Sequence, residues 1–234
     1  MSAPRVHVLI PAAGSGTRFG SGVLKQYQPV CGEAVLAHVI GIFKHHPMVT
    51  SITVVLAEDD QWFESAVGSL SVAVNKVTGG ATRAQSVLNG LNVLSQKYSG
   101  SDWVLVHDAA RPCLFPGHLS KFLEMGLQSA EGAIMAIPVG DTLKRAGAGG
   151  EIIATVDRKG LWAAQTPQLF RMGALAEAVE TASREGCELT DEASAMEHAG
   201  LRPILIMGSS ENIKITHPGD LAIAEALLSR KENR

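Results

Sequence analysis

Short apolar runs rich in β-branched residues alternate along this chain with longer stretches whose apolar positions recur at helical spacing. Val8-Leu9-Ile10, Ile52 to Leu56, Val72 to Val77, Trp103 to Val106 and Gly132 to Ile137 each read as a strand, the first two buried and the third alternating. Between them, Glu33 to Lys44 lines up Val35, Leu36, Val39, Ile40 and Phe43 on one helical face. Trp62 to Leu70 reads as a second helix, and a third opens near Thr82 with Val87, Leu88 and Leu91. Such alternation predicts an α/β fold, a Rossmann-like and mainly parallel sheet flanked by helices. Farther on, Met172 to Glu185 and Asp220 to Leu228 read as helices, and Ile204 to Met207 and Asn212 to Thr216 as short strands. Thr190 is the expected N-cap of a helix carrying Ala193, Met196 and Ala199.

From Pro138 the pattern changes. Val139 to Gly150 is rich in Gly and Ala, and Ile152 to Val156 follows as a short β run. Two short strands around Gly147-Ala148-Gly149-Gly150 predict a hairpin with little core of its own, which needs a surface to lean on. Residues 138–165 are therefore expected to form a β-arm, with a second copy of the chain as its partner. Residues 1–137 are expected to form the first part of a single domain, the part that carries the ligand-binding loops, and residues 166–234 the remainder of it.

Composition narrows the class. The 234 residues are 46% hydrophobic and 18% charged, enough for one substantial core. With 20 basic and 23 acidic residues the net charge is −3, which gives no general attraction to nucleic acid or anionic membrane. Any affinity for phosphate must then be local. Cys31, Cys113 and Cys187 are far apart and odd in number, and read as free thiols of a reducing compartment. The first residues lack the plan of a signal peptide, and no apolar run is long enough to span a bilayer, so a cytoplasmic location is expected.

Local phosphate chemistry is written after the first strand. Pro11 ends it, and Ala12-Ala13-Gly14-Ser15-Gly16 follows without a bulky side chain. A loop this bare lets backbone N–H groups approach an anion, and Arg18 and Lys25 add full positive charge. It is not the dinucleotide fingerprint, because Phe19 holds the place of the third glycine and no acidic residue follows at the right distance. Nor is it the ATPase loop, since no glycine is followed by Lys and then Ser or Thr. A second meeting place for backbone donors is Gly79-Gly80-Ala81, just before a helix N-terminus. A third is His107-Asp108-Ala109-Ala110-Arg111-Pro112, beyond the carboxyl end of a strand, where open α/β sheets bind ligands. There Asp108 is a natural Mg2+ ligand beside a triphosphate, or alternatively a turn cap paired with Arg111, and His107 reads as scaffold. Lys214, between Ile213 and Ile215, faces solvent or a ligand by alternation.

Taken together, these segments resemble the family of cytidylyltransferases that act on 2-C-methyl-D-erythritol 4-phosphate. The resemblance runs through Gly14-x-Gly16-x-Arg18 with Lys25, Gly79-Gly80, the His-Asp-Ala-Ala-Arg-Pro run, Asp141-Thr142, Val156-Asp157-Arg158, Thr166-Pro167-Gln168, Thr190-Asp191-Glu192-Ala193 and Asn212-Ile213-Lys214. It implies a nucleotide-diphospho-sugar transferase type of fold and transfer of a cytidylyl group from CTP, with Mg2+ as cofactor. By this resemblance Arg18 and Lys25 stabilise charge at the reacting phosphorus, while Arg158 and Lys214 position the nucleophile. Ala12, Ala13, Gly14, Gly16, Gly80, Ala81 and Ser86 hold the nucleotide. Asp108, Arg111, Thr142, Thr166 and Thr190 meet the sugar phosphate, Asp108 also placing the metal. Ala81 stands where a polar side chain would help hold the base, so base selection leans on backbone groups and Ser86. The arm clasps a neighbouring subunit in a homodimer and delivers Arg158 to its partner's site. Three rivals stay open: a sister enzyme accepting ribitol 5-phosphate, a dinucleotide-dependent oxidoreductase, and a module that binds CTP without turning it over.

Overall fold

The computed structural model describes residues 4–14 and 23–232. The chain begins with β1 (Val6–Pro11), then the short hairpin of β2 (Pro29–Val30) and β3 (Glu33–Ala34) leading into α1 (Val35–Lys44). Next come β4 (Val49–Leu56), α2 (Phe63–Val67), β5 (Asn75–Thr78), α3 (Arg83–Ser95), β6 (Trp103–Val106) and α4 (Pro116–Gly126). β7 (Ala133–Pro138) precedes the arm strands β8 (Leu143–Ala146) and β9 (Ile152–Val156). The chain closes with β10 (Trp162–Arg171), α5 (Met172–Arg184), α6 (Glu192–His198), β11 (Ile204–Met207) and α7 (Gly219–Glu232).

Seven strands make one sheet, in the order β11-β7-β10-β6-β1-β4-β5. β1 runs parallel to β4 and β6, β4 to β5, and β7 to β11, whereas β10 is antiparallel to both its neighbours. The expectation of a mainly parallel α/β sheet holds. Strand alternation assigns the two faces. Val6, Val8 and Ile10 join Leu36, Ile40 and Phe43 of α1 and Leu119, Phe122 and Leu123 of α4 in one apolar layer. Leu9 points the other way, with Val104, Val106 and Phe170, against Val87, Leu91 and Leu94 of α3 and Leu175 and Val179 of α5. A third, smaller cluster seats Ala224 and Leu228 of α7 on Cys113, Ala110 and Ile215.

Several expectations change in detail. Gly68–Ala73 is a 3-10 turn, not part of a strand or of the preceding helix, and β5 starts only at Asn75. Residues 212–216 are not a strand; their tie to the body includes one backbone bond, Ile215 N–H to the Ala110 carbonyl at 2.8 Å. Asp191, not Thr190, caps α6: its carboxylate accepts from Ser194 N–H at 2.9 Å, and Ser194 Oγ answers at the Asp191 backbone. The carboxylate accepts more strongly than a hydroxyl at a positive helix end, so the cap moves one residue on. α4 and β10 lay outside the sequence reading. Thr166-Pro167-Gln168 interrupts the apolar run of β10, and proline argues against a central strand. β10 accommodates it where its pairing with β7 shifts register between Ala164 and Gln168. β8 and β9 pair only with each other, antiparallel, as the predicted hairpin, while the expected arm range 138–165 is cut short because β10 rejoins the sheet from Trp162.

Candidate active site

Chain order fixes where a ligand fits. From β1 the chain moves outward to β4 and β5, then returns to β6 on the other side of β1, which makes the carboxyl ends of β1 and β6 a topological switch point. A cavity of about 570 Å³ opens there. Its walls are the loop Pro11-Ala12-Ala13-Gly14, the turn Gly80-Ala81-Thr82, the run Asp108-Ala109-Ala110, and the side chains of Lys25, Arg83, Ser86, Lys214 and Thr216. The three loops singled out from the sequence thus converge. Gly16 and Arg18 lie outside the described residues.

Close packing explains the glycine pair. A Cβ on Gly79 would fall 2.5 Å from the Ala13 Cβ, and one on Gly80 would fall 2.1 Å from Gln85 Cγ. A bare Gly79 lets the second loop lie against the first, and a bare Gly80 leaves room for the Gln85 side chain of α3. Ser86 holds that turn from below, accepting from Gly80 N–H at 3.1 Å and donating to the Thr82 carbonyl at 2.9 Å. Thr82 caps α3, as its position predicts, by accepting from Gln85 N–H. Lys25 opens a short 3-10 turn whose next residue, buried Gln26, donates to the Ala12 carbonyl at 2.9 Å. Gln26 therefore fixes Lys25 relative to the first loop.

At the floor lies an ionic cluster. Asp108 is 8% exposed and its carboxylate meets three cations: Arg83 at 3.2 Å, Arg111 at 3.3 Å and Lys214 at 2.9 Å. Burial opposes its ionisation, but Arg83, Lys214 and Arg111 outweigh burial and hold it well below the usual carboxylate range. Arg83 also grips Glu192 with both nitrogens, at 2.5 and 3.1 Å. Glu192 is 2% exposed, and burial pushes its pKa up while Arg83 opposes. Lys214 is the most exposed member, its side chain 41% exposed.

Behind Asp108, a relay of neutral bonds sets its backbone. Asp108 N–H donates to Thr166 Oγ1 at 3.0 Å, and Thr166 pairs with His107 Nδ1 at 3.2 Å. Nε2 of His107 faces the Arg111 carbonyl at 3.0 Å. Complete burial pushes His107 down to about 4, so the ring is neutral scaffold. Asn212 ties β10 to the segment carrying Lys214, donating to the Thr166 carbonyl at 2.8 Å while its own carbonyl accepts from Arg111.

Five sequence candidates stand apart from the cavity. Arg111 and Thr166 are buried behind Asp108 and do not line it. Thr190 is exposed, its N–H donating to Ser194 Oγ. Thr142 and Arg158 belong to the exposed arm, where Arg158 donates to the Gly140 carbonyl. Conversely, the sequence reading assigned nothing to Gln26, Arg83 or Glu192. Arg83 did carry a signal: it is the first residue of α3, where the helix dipole disfavours a cation. A cation tolerated there has an anionic partner.

The geometry suits a polyphosphate, with bare backbone and Lys25 at one wall and cations around a single carboxylate on the floor. Comparison with known proteins agrees. The family model described as 2-C-methyl-D-erythritol 4-phosphate cytidylyltransferase matches residues 6–230. A protein of that description from Stenotrophomonas maltophilia is 47% identical, with 97% of each chain covered. Another from Chromobacterium violaceum is 45% identical over 96% of this chain and 98% of its own. Among solved structures, a 4-diphosphocytidyl-2C-methyl-D-erythritol synthase superimposes with a TM-score of 0.84 at 43% identity, covering 96% of this chain and 99% of the other. The Francisella tularensis 2-C-methyl-D-erythritol 4-phosphate cytidylyltransferase gives 0.80 at 33% identity, covering 95% and 99%.

Proposed function

The chain belongs to the 2-C-methyl-D-erythritol 4-phosphate cytidylyltransferase family, and on that premise we propose how its own residues carry the reaction. The enzyme transfers the cytidylyl group of CTP to 2-C-methyl-D-erythritol 4-phosphate, giving 4-diphosphocytidyl-2-C-methyl-D-erythritol and pyrophosphate. An oxygen of the sugar phosphate forms a bond to the α-phosphorus of CTP as the bond to the β-phosphate breaks. That oxygen is already ionised near neutral pH, since a phosphate monoester loses its second proton at about pH 6, so no general base is needed. Orientation and charge stabilisation must supply the rate.

The observation that carries this reading is the convergence of Lys25, Arg83 and Lys214 with two bare backbone loops on one cavity. Backbone groups of Ala12, Ala13, Gly14 and Gly80 take the triphosphate and base, with Ala81 and Ser86 shaping the base pocket. Lys25, with Arg18, stabilises the five-coordinate phosphorus. Lys214 leaves Asp108 to hold the incoming phosphate, a move its exposed side chain allows. Arg111 and Thr166 act through Asp108, setting its carboxylate and backbone for the substrate hydroxyls.

Asp108 would hold Mg2+ once a bound triphosphate offsets the cations around its carboxylate, since the ion takes one or two carboxylates plus phosphate oxygens. A bound ion would supply positive charge against the triphosphate. The arm supplies what the cavity lacks. β8 and β9 are exposed on both faces with Ile152 and Ile153 67% and 62% exposed, which supports docking on a second copy of the chain. In that homodimer Arg158 and Thr142 reach the partner's sugar phosphate, with Thr190 at the rim. Three free thiols support a reducing, cytoplasmic setting, and among the described residues no helix is long and apolar enough to cross a membrane.

Pyrophosphate release from CTP and Mg2+ tests the reading, comparing methylerythritol 4-phosphate with ribitol 5-phosphate. Release with the first alone is expected. Release with the second alone overturns the substrate assignment, and CTP binding without release under either condition overturns the catalytic roles.

A further inference from the structure

Two helix C-termini meet on the face that carries α5 and α6. α5 ends with Gly186 in the left-handed region at φ +70°, and Cys187 N–H bonds back to the Ala182 carbonyl at 2.9 Å. This paired terminal turn sets Glu185 and Cys187 side by side. α6 ends at His198, and the turn beyond it closes the same way, with Leu201 N–H bonded to the Met196 carbonyl. His198 Nε2 lies 2.6 Å from Glu185 Oε2 and 3.6 Å from Cys187 Sγ, with Nδ1 at 3.8 Å from the sulfur. One ligand atom from each residue lies within 4.8 Å of the other two, and among the described residues this is the one such group.

We propose that Glu185, Cys187 and His198 form a binding site for a divalent transition-metal ion such as Zn2+, separate from the catalytic cavity. Thiolate, imidazole and carboxylate together are the donor set of a tetrahedral zinc site with one open position. Zinc bonds of about 2.3 Å to sulfur and 2.0 Å to nitrogen at a tetrahedral angle put those atoms roughly 3.5 Å apart. The Sγ to Nε2 separation of 3.6 Å already meets that distance. Two adjustments remain. The imidazole turns about its Cβ–Cγ bond to aim a nitrogen at the ion, and the Glu185 oxygen retreats from hydrogen-bonding distance. Both side chains are free to do so, at 34% and 56% exposure. Binding converts the Cys187 thiol to thiolate and releases its proton to solvent. The negative ends of two helix dipoles add to the attraction for a cation. Sequence spacing concealed the site, because two ligands come from one turn and the third from the next helix.

The ion would clamp the ends of α5 and α6 rather than take part in turnover. Glu192, which holds Arg83, lies at the opposite end of α6, roughly 9 Å along its axis.

Metal-stripped full-length enzyme in excess Mg2+ is titrated with Co2+, reading the thiolate charge-transfer absorption, and with Zn2+ by calorimetry. One equivalent per chain with a thiolate band is expected. Cys187→Ser abolishes the band, His198→Gln weakens binding at least about tenfold, and Zn2+ raises the thermal midpoint of the wild type but not of Cys187→Ser. Turnover with Mg2+ is unchanged in both variants. Absence of the band, its survival in Cys187→Ser, or unaltered affinity in His198→Gln overturns the site.

Discussion

The floor of the cavity and the arm are built on opposite principles. Asp108, Arg83, Glu192 and Arg111 are packed together, each charge answered by another chain-internal group. The arm, β8 and β9, pairs only with itself and leaves Ile152 and Ile153 in water. One region is complete within a single chain; the other leaves its apolar side chains uncovered. Both carry residues assigned to the reaction. The difference separates mutations that unfold the molecule from mutations that silence it, and on the proposed function it divides the active centre between two chains.

The sharpest division falls on activity. Lys25→Ala and Arg158→Ala, one on the cavity wall and one on the arm, should each lower turnover by on the order of 10²–10³. Neither should shift the thermal midpoint appreciably. Near-normal turnover in Lys25→Ala removes its assignment, and near-normal turnover in Arg158→Ala makes the arm a structural appendage.

On stability, the floor should respond where the arm does not. Arg83→Ala leaves Glu192 buried without its bidentate partner, and should cost about 3 kcal/mol, the low end for a broken buried pair because the guanidinium is 32% exposed. Denaturant titration measures it. A cost below about 1 kcal/mol would mean that Glu192 takes up a proton at little expense.

Next comes acidity. His107 is held near 4 in the fold against 6.5 in the unfolded chain, so below 6.5 the unfolded state takes up a proton that the fold refuses. Stability should fall by roughly 3 kcal/mol as pH drops from 6.5 to 4, and this loss should level off below. Asp108 does not contribute in that window, because its depressed pKa withdraws stability only below about 3.8. Comparing the pH slope of unfolding in wild type and His107→Gln isolates the imidazole; equal slopes would assign the acid sensitivity elsewhere, with buried His7 the next candidate. The smallest effect belongs to the arm. Ile153→Ser should change the stability of the chain itself by less than about 0.5 kcal/mol, yet weaken self-association in sedimentation experiments.

What the sequence made legible follows the same division. β1, the bare loop after it and the His-Asp-Ala-Ala-Arg-Pro run are local features, readable because strand periodicity and loop chemistry are written in adjacent residues. The arm was equally plain, since a hairpin without apolar partners shows itself in composition. Arg83 and Glu192 were not, because their meaning is a contact across 109 positions that neither neighbourhood announces. β10 was hidden by Pro167 in its middle. α4 was legible only in part, with Pro116 at its start but an apolar stripe of just Leu119, Phe122 and Leu123. Thr190 misled because Thr and Asp both cap helices, and only geometry shows which one reaches the free N–H groups.

The proposed division of the active centre has one direct test: mix Lys25→Ala with Arg158→Ala, each inactive alone, and let the subunits exchange. If the arm serves the partner's cavity, each mixed dimer holds one site with both residues, and turnover should recover to about one quarter of wild type. If Arg158 serves its own chain, no mixed dimer contains an intact site, and the mixture stays inactive.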